Sequence, residues 1–570
     1  MRFSWISLLP AVTAVSVQSF EDLLARQLPN PATGVKTIKT ANNVTIRYKE
    51  PGKEGVCETT PGVKSYSGYV DLSPTEHTFF WFFEARHDPE NAPITLWLNG
   101  GPGSDSLIGL FEELGPCRVN KDNETYINKH SWNEVSNMLF LSQPLGVEKG
   151  AGTLNPITGS FENSDYAGVD GRYPIINATA IDTTELAAKA TWEVLQGFLG
   201  GLPKLDSKIK SKSFNLWTES YGGHYGPANS SSTTSTERTR RLPMALKRVF
   251  SWTSTPWVSS MVSSMKESRL RTTPSSQSIT PMVNDTVYNY MKFANEMPNG
   301  CQDQVLTCKL TNRTSLSDHA LCTEATNMCR DNVGASPIHS SKSKKKDRKR
   351  EREKERKKET LTNLPESPYY AFSGRGTYDI RHPRNDPTPE PYYQNYLAKD
   401  SVLNALGVDL NYTQSNNEVY FAFQQTGDFV WPNFLEDLED ILARPVRVAL
   451  IYGDADYICN WFGGEAISLA TKYKHSKQFR KAGYAPFLVD GVEYGETREY
   501  GNFSFTRVYE AGHEVPYYQP EASLQLFNRT LFGWELPQGQ KKLKADFGSE
   551  GPSEATHTQS SVPLPTATKG

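Results

Sequence analysis

Short apolar runs closed by clusters of Gly, Pro, Asn and Asp recur along most of the chain. Thr78 to Glu84, Ile94 to Leu98 and Met138 to Leu141 alternate with turns inside residues 66–150, a spacing that predicts the first half of a sheet. Ile181 to Leu199 changes period, because Leu186, Ala190, Trp192, Leu195 and Phe198 fall at helical intervals. The run Phe214 to Trp217 follows it, and Val446 to Tyr452 and Phe505 to Tyr509 return to strands within 415–535. Helix followed by strand is the mark of a parallel sheet with crossovers. The pattern therefore predicts an α/β fold, with a mostly parallel central sheet and helices on both faces.

Three of these strands end in residues with chemistry to offer. After Trp217 comes Thr218-Glu219-Ser220-Tyr221-Gly222-Gly223, a serine between an acid and an aromatic, with glycines that let neighbouring backbone approach. It reads as a nucleophile on a sharp strand-to-helix bend. Such a hydroxyl needs a base and an acid. The run ending at Tyr452 leads to Asp454 and Asp456, and the run ending at Tyr509 leads to His513, which gives the chain order Ser, Asp, His of α/β-hydrolases. His224 is a rival base, but on a helix just after Ser220 it would point along the turn. Asn99-Gly100-Gly101-Pro102-Gly103 follows the strand Ile94 to Leu98 and offers successive backbone amides. Donors aimed at a developing oxyanion lower an acyl-transfer barrier by roughly 3 to 4 kcal/mol each.

Five motifs stand in order: Trp97 to Gly103, Gly109-Leu110-Phe111-Glu112-Glu113-Leu114-Gly115-Pro116-Cys117, Glu219 to Tyr225, Gly453 to Trp461 and Gly512 to Pro516. Together they resemble the serine carboxypeptidase family, especially its secreted fungal members, over most of residues 45–228, 281–333 and 367–535. The resemblance implies an α/β-hydrolase core with a helical, disulfide-containing insertion. It implies Ser220 as nucleophile, His513 as the base that takes its proton and later returns it to the leaving amine, and Asp456 as the acid orienting the imidazole. Gly101 and Tyr221 would supply the oxyanion-hole amides. Asn99, Gly100, Glu113 and Glu219 would grip the free carboxylate of the substrate's last residue, and Cys459 would line the pocket. Two facing glutamates share a proton, so one stays a donor to that carboxylate, and peptide binding is expected to be strongest in acid.

Length and charge narrow the classes further. At 570 residues and 37% hydrophobic content the chain can bury a large core, and a net charge of -3 argues for no partner chosen by overall charge. Met1 to Val17 joins Arg2 to an apolar run and to small residues at Ala14 and Ser16, the pattern of a secretory signal peptide. No other stretch is long and apolar enough for a spanning helix, so no integral membrane segment is expected after its removal. Sequons at Asn43, Asn123, Asn177, Asn229, Asn284, Asn312, Asn411, Asn502 and Asn528 fit an N-glycosylated product, secreted or vacuolar. Seven cysteines leave one over in an oxidising compartment, and Cys459 is the expected odd one. Cys301 with Cys329, Cys308 with Cys322 and Cys57 with Cys117 is one connectivity of fifteen. A four-cysteine metal site fits the spacings less well, and neither metal nor cofactor is expected.

The expected organisation is a signal peptide over 1–17, the N-terminal half of the core over 18–228, a cap region over 229–400, the C-terminal half over 401–535 and a disordered Ser/Thr/Pro-rich tail over 536–570. Three stretches depart from the family pattern. Residues 229–280 turn Ser-rich where another core strand and cap helices belong, which reads as a shifted reading frame or as a disordered insert. Residues 334–366 hold twelve Lys or Arg and five acids between Lys342 and Glu359. In a secreted chain that basic run reads as a translated intron or a solvated charged helix rather than a nucleic-acid site, so no nucleic-acid partner is expected. Glu148 to Gly152 replaces a turn that lies near the family's substrate pocket.

The function expected is that of a secreted serine carboxypeptidase releasing residues from peptide C-termini through an acyl-enzyme on Ser220. One alternative is an acyltransferase, in which an alcohol captures the same acyl-enzyme. The other is an inactive secreted glycoprotein, which the aberrant segments allow.

Overall fold

Ile94–Leu98 and Phe214–Thr218 bury every side chain, and strands covered on both faces belong inside a parallel sheet. A computed structural model describes residues 30–40, 44–74, 76–143, 161–166, 169–174, 178–232, 249–252, 285–311, 315–333, 368–384, 386, 388–431 and 434–555. The signal peptide, the turn at 148–152, the basic stretch 334–366 and the sequons at Asn43, Asn177, Asn284 and Asn312 lie outside them.

In chain order the strands are β1 (Lys36–Lys39), β2 (Thr45–Lys49), β3 (Ser65–Ser73), β4 (Glu76–Phe83), β5 (Ile94–Leu98), β6 (Cys117–Val119), β7 (Thr125–Ile127) and β8 (Asn137–Leu141). There follow β9 (Phe161–Tyr166), β10 (Val169–Pro174), β11 (Phe214–Thr218), β12 (Val249–Trp252), β13 (Arg447–Gly453), β14 (Ala485–Val489), β15 (Val492–Tyr500) and β16 (Phe503–Val508). Two pairs, β6 with β7 and β9 with β10, stand apart, and the other twelve form one sheet ordered β1-β2-β3-β4-β8-β5-β11-β12-β13-β16-β15-β14. Its middle, from β8 to β16, is parallel. Both margins are antiparallel.

The place where the sequence leaves a core strand missing is filled. Val249–Trp252 pairs in parallel with β11 on one side and β13 on the other, Phe250 standing opposite both Leu216 and Val448. A strand this short sets no period of its own, so the Ser-rich text around it conceals it.

Alternate residues feed two cores. Phe80 and Phe82 face the helix Thr184–Leu205, where the Phe198 ring lies 5.2 and 5.5 Å from theirs. Trp81, Trp97 and Trp217 face the other way, towards Phe111, Trp132 and Phe527 of the helix Pro520–Leu531. Thr183 caps the first helix by accepting from the Leu186 N–H, and the helix runs beyond the expected end at Leu199 to Leu205. Its glycines set how closely it packs on the sheet. A β-carbon on Gly201 would lie 2.3 Å from Ile46 Cδ1, and one on Gly197 2.6 Å from Val44 Cγ1, so the helix rests directly on these two residues. The buried face runs through Ala187, Thr191, Val194, Leu195 and Phe198, whereas Leu186 of the periodic set faces solvent.

Helices Asp285–Glu296, Cys301–Lys309 and Leu316–Asn332 make up the insertion, tied by Cys301–Cys329 and Cys308–Cys322. Cys57–Cys117 is the third bridge, and Cys459 is free and buried. The segment from residue 536, expected to be disordered, is instead packed as far as Ala555. Leu536 and Ala555 enter the two cores, and Ser549 exchanges backbone and side-chain hydrogen bonds with Glu499 of β15. Hydrogen bonding to an outer strand holds it, which apolar periodicity does not report. No helix among the described residues is long and apolar enough to cross a membrane.

Candidate active site

Ser220 lies between the end of β11 at Thr218 and the start of the helix Gly222–Ser232, with a φ of 58°. Non-glycine residues rarely adopt that left-handed conformation, and here it makes the strained bend expected from the sequence. Gly222 closes the turn, since a β-carbon there would lie 2.7 Å from Thr218 Cβ. Gly100 does the same for the loop after β5: a β-carbon on it would lie 2.3 Å from the Tyr221 nitrogen. Gly101 and Tyr221 are thereby brought together. Among the described residues neither their N–H donates to another backbone carbonyl. The Tyr221 side chain points elsewhere, its hydroxyl donating to Asp428 Oδ2 at 2.5 Å beside Thr184 Oγ1, which donates to the same oxygen. Asp428 was not foreseen, because a lone aspartate after a glycine reads as an ordinary turn.

The other two members come from neighbouring parallel strands. Asp456 lies just beyond β13 and His513 just beyond β16, so their loops leave the sheet at the same edge. His513 Nδ1 is 2.7 Å from Asp456 Oδ2, and Asp456 Oδ1 accepts from the Cys459 N–H at 3.2 Å. Asp454 sits apart, 3.8 Å from Arg507 Nη2. Burial pushes the imidazole pKa down, but Asp456 and Cys459 more than offset this and leave it well above the ordinary histidine range. Burial raises the Cys459 pKa and holds it as a thiol, and Asp456 contributes most among the groups favouring the imidazolium. The rival base His224 lies against Tyr221, with ring centroids 4.3 Å apart.

Beside the imidazole is a cluster of buried acids. Asn99 Oδ1 accepts from Trp97 Nε1 at 2.7 Å and from the Gly109 N–H at 3.0 Å, which fixes the amide so that its Nδ2 donates to Glu219 Oε2 and, at 3.4 Å, to Glu113 Oε1. Glu219 Oε1 is in turn 3.2 Å from His513 Nε2. Glu112 and Glu113 are consecutive on the π-helix Gly109–Leu114, which is buried throughout. Burial, then the charge of Glu219, pushes Glu112 up to about 8 and Glu113 well above the carboxylate range. Burial also raises Glu219, although His513 works against it. Glu514 is raised by burial and by Glu112 and Glu219. Acids this close cannot all ionise. Glu113 and Glu219 were expected, whereas Glu112 and Glu514 were missed, although each adjoins an expected residue.

Asp456, Cys459 and His513 bring possible ligand atoms within 4.8 Å of one another. The Asp456–His513 hydrogen bond accounts for that grouping, and a thiol kept neutral by burial is a poor metal ligand.

The sequence pattern of the serine carboxypeptidase family, Peptidase_S10, matches residues 51–533. Carboxypeptidase S1 homolog A of Arthroderma otae is 35% identical, over 97% of this chain and 86% of its own. Carboxypeptidase S1 of Penicillium janthinellum is 33% identical, over 84% of this chain and 97% of its own. Among solved structures, Kex1(delta)p, a prohormone-processing carboxypeptidase from Saccharomyces cerevisiae, is similar with a TM-score of 0.58 at 18% identity, over 85% of this chain and 95% of that one, a likeness of fold. Since the family match runs from before β3 to beyond His513 and so takes in the whole site, the chain belongs to the serine carboxypeptidases, hydrolases built on the α/β-hydrolase fold.

Proposed function

We propose that Ser220, His513 and Asp456 act as one proton relay that removes single residues from peptide C-termini. Ser220 Oγ attacks the carbonyl of the last peptide bond while His513 Nε2 takes its proton, and Asp456 stabilises the imidazolium that results. The Gly101 and Tyr221 N–H groups receive the oxyanion. Collapse expels the terminal residue, its amine taking the proton back from His513. Water then attacks the acyl-enzyme, activated by the same imidazole.

One observation carries the exopeptidase reading: a fixed Asn99 amide pointing at two buried glutamates, one of them 3.2 Å from His513 Nε2. A substrate carboxylate seated by Asn99, Gly100, Glu113 and Glu219 finds a neutral carboxyl to donate to it and leaves the scissile bond beside the base. Cys459, bonded to Asp456 through its N–H, lines the same pocket. The reading includes peptide binding favoured in acid, which the raised Glu113 and Glu219 support, and N-glycans and a secreted or vacuolar setting, supported by the leader pattern of residues 1–17, the sequons and the three disulfides.

Mass spectrometry of a peptide digest tests it. Single residues should be lost from a free C-terminus and none from the C-terminally amidated peptide. Internal cleavage, or an acylated alcohol as the main product, would contradict it.

A further inference from the structure

Residues 377–381 lie outside every strand and helix and hold none of the groups assigned above, yet they bond to both loops that do. The Thr377 carbonyl accepts from the N–H groups of Tyr457 and Ile458 at 3.3 and 3.1 Å, and the Ile380 N–H donates to the Ala455 carbonyl at 2.9 Å. Asp456 is thus bracketed by residues that this segment holds. The Tyr378 carbonyl accepts from the His513 N–H itself at 2.8 Å. A β-carbon on Gly512 would lie 2.6 Å from that same carbonyl, so the His513 loop is pressed directly onto the segment.

Arg375 Nη1 donates to the Ile380 carbonyl at 2.8 Å, and a second arginine ties the segment to the His513 loop. Arg381 donates to both carboxylate oxygens of Asp379, from Nε to Oδ1 at 2.9 Å and from Nη2 to Oδ2 at 2.6 Å. Its Nη1 donates to Glu510 Oε2 at 2.8 Å, and its guanidinium lies 5.2 Å over the Tyr518 ring. Glu510 stands on the approach to His513 with a φ of 53°. Exposed ion pairs usually contribute little, and Glu510 is half-exposed, but the guanidinium is largely buried and its fork to Asp379 fixes the orientation from which it reaches Glu510.

We propose that Arg381 is a positioning residue: by tying Asp379 to Glu510 it holds 377–381 across the Asp456 and His513 loops and so sets the imidazole against the carboxylate. The proposal rests on the triad reading above. The imidazole faces Asp456, Cys459, Glu219 and Tyr378, while Arg381 faces Asp379, Glu510 and Tyr518, with His382 3.7 Å from Asp379. Of these, Asp456 contributes most to favouring the imidazolium. An imidazole that slips from it therefore loses its proton at lower pH.

The test compares Arg381→Met, Arg381→Lys and Glu510→Gln in the full chain, reading kcat and KM on a free peptide, the rate at which a fluorophosphonate modifies Ser220, and Tm. Arg381→Met should lower kcat and the labelling rate together by about 10- to 100-fold, with KM within about twofold. The acid limb of its kcat/KM profile should move to lower pH. Arg381→Lys should recover part of the loss, and Glu510→Gln should cost about threefold. Should Arg381→Met not fold, the other two variants decide on the same readouts. Wild-type kcat in all variants, a KM effect alone, or a loss that follows Tm with the acid limb unmoved would overturn the proposal. Failure of the triad reading would show separately, as a wild-type enzyme that the probe leaves unmodified at Ser220.

Discussion

Gly100 meets Tyr221 backbone to backbone, so closely that a β-carbon on the glycine would lie 2.3 Å from the tyrosine nitrogen and 2.8 Å from the Glu219 carbonyl. No rotamer relieves such a contact, so one of the two loops must move. Because the amides proposed for the oxyanion lie on these loops, Gly100→Ala should lower kcat by about 100-fold or more while costing only part of the fold's stability. Peptide kinetics and a melting curve on the same preparation check this.

The Glu113 and Glu219 pair makes binding depend on pH. Burial raises both pKa values, so in acid the pair keeps a proton and can donate to a substrate carboxylate. As pH climbs through the raised values the pair gains charge and repels that carboxylate. KM for a free peptide should therefore rise from pH 4 towards pH 8, while an ester or amide substrate without the carboxylate should keep its KM. Glu113→Gln should flatten the peptide profile. Identical profiles for the two substrate types would remove the carboxyl clamp.

Glu112 makes stability depend on pH in the same direction. Its folded-state pKa of about 8 lies above the ordinary glutamate value, so its contribution is fully present below about pH 4.5 and is lost as pH rises through 8. Wild type should melt at a lower temperature at pH 8 than at pH 5, and Glu112→Gln should reduce that difference. An unchanged difference in the variant would show that Glu112 is not the group responsible.

The strands ending near Ser220, Asp456 and His513 were legible because strands buried on both faces must be apolar without interruption, and each ends in a turn with a distinctive residue. The disulfide pairs were legible as one choice among several, and the geometry selects it. Val249–Trp252 was hidden because four residues in polar text carry no period. Leu186 misled because an apolar residue at helical spacing can still fall on the solvent face. Glu112, Glu514, Asp428 and Arg381 were not legible at all. Each is a single polar residue whose meaning comes from partners distant in the chain, such as Tyr221 for Asp428 or Glu510 for Arg381.

Covalent labelling of the intact protein by a fluorophosphonate, with the adduct mapped by mass spectrometry, probes the proposed relay most directly. The adduct should sit on Ser220, vanish in Ser220→Ala, and form at least about 1,000-fold more slowly in His513→Ala. An adduct on another residue, or an undiminished rate without His513, would show that hydroxyl and imidazole do not work together.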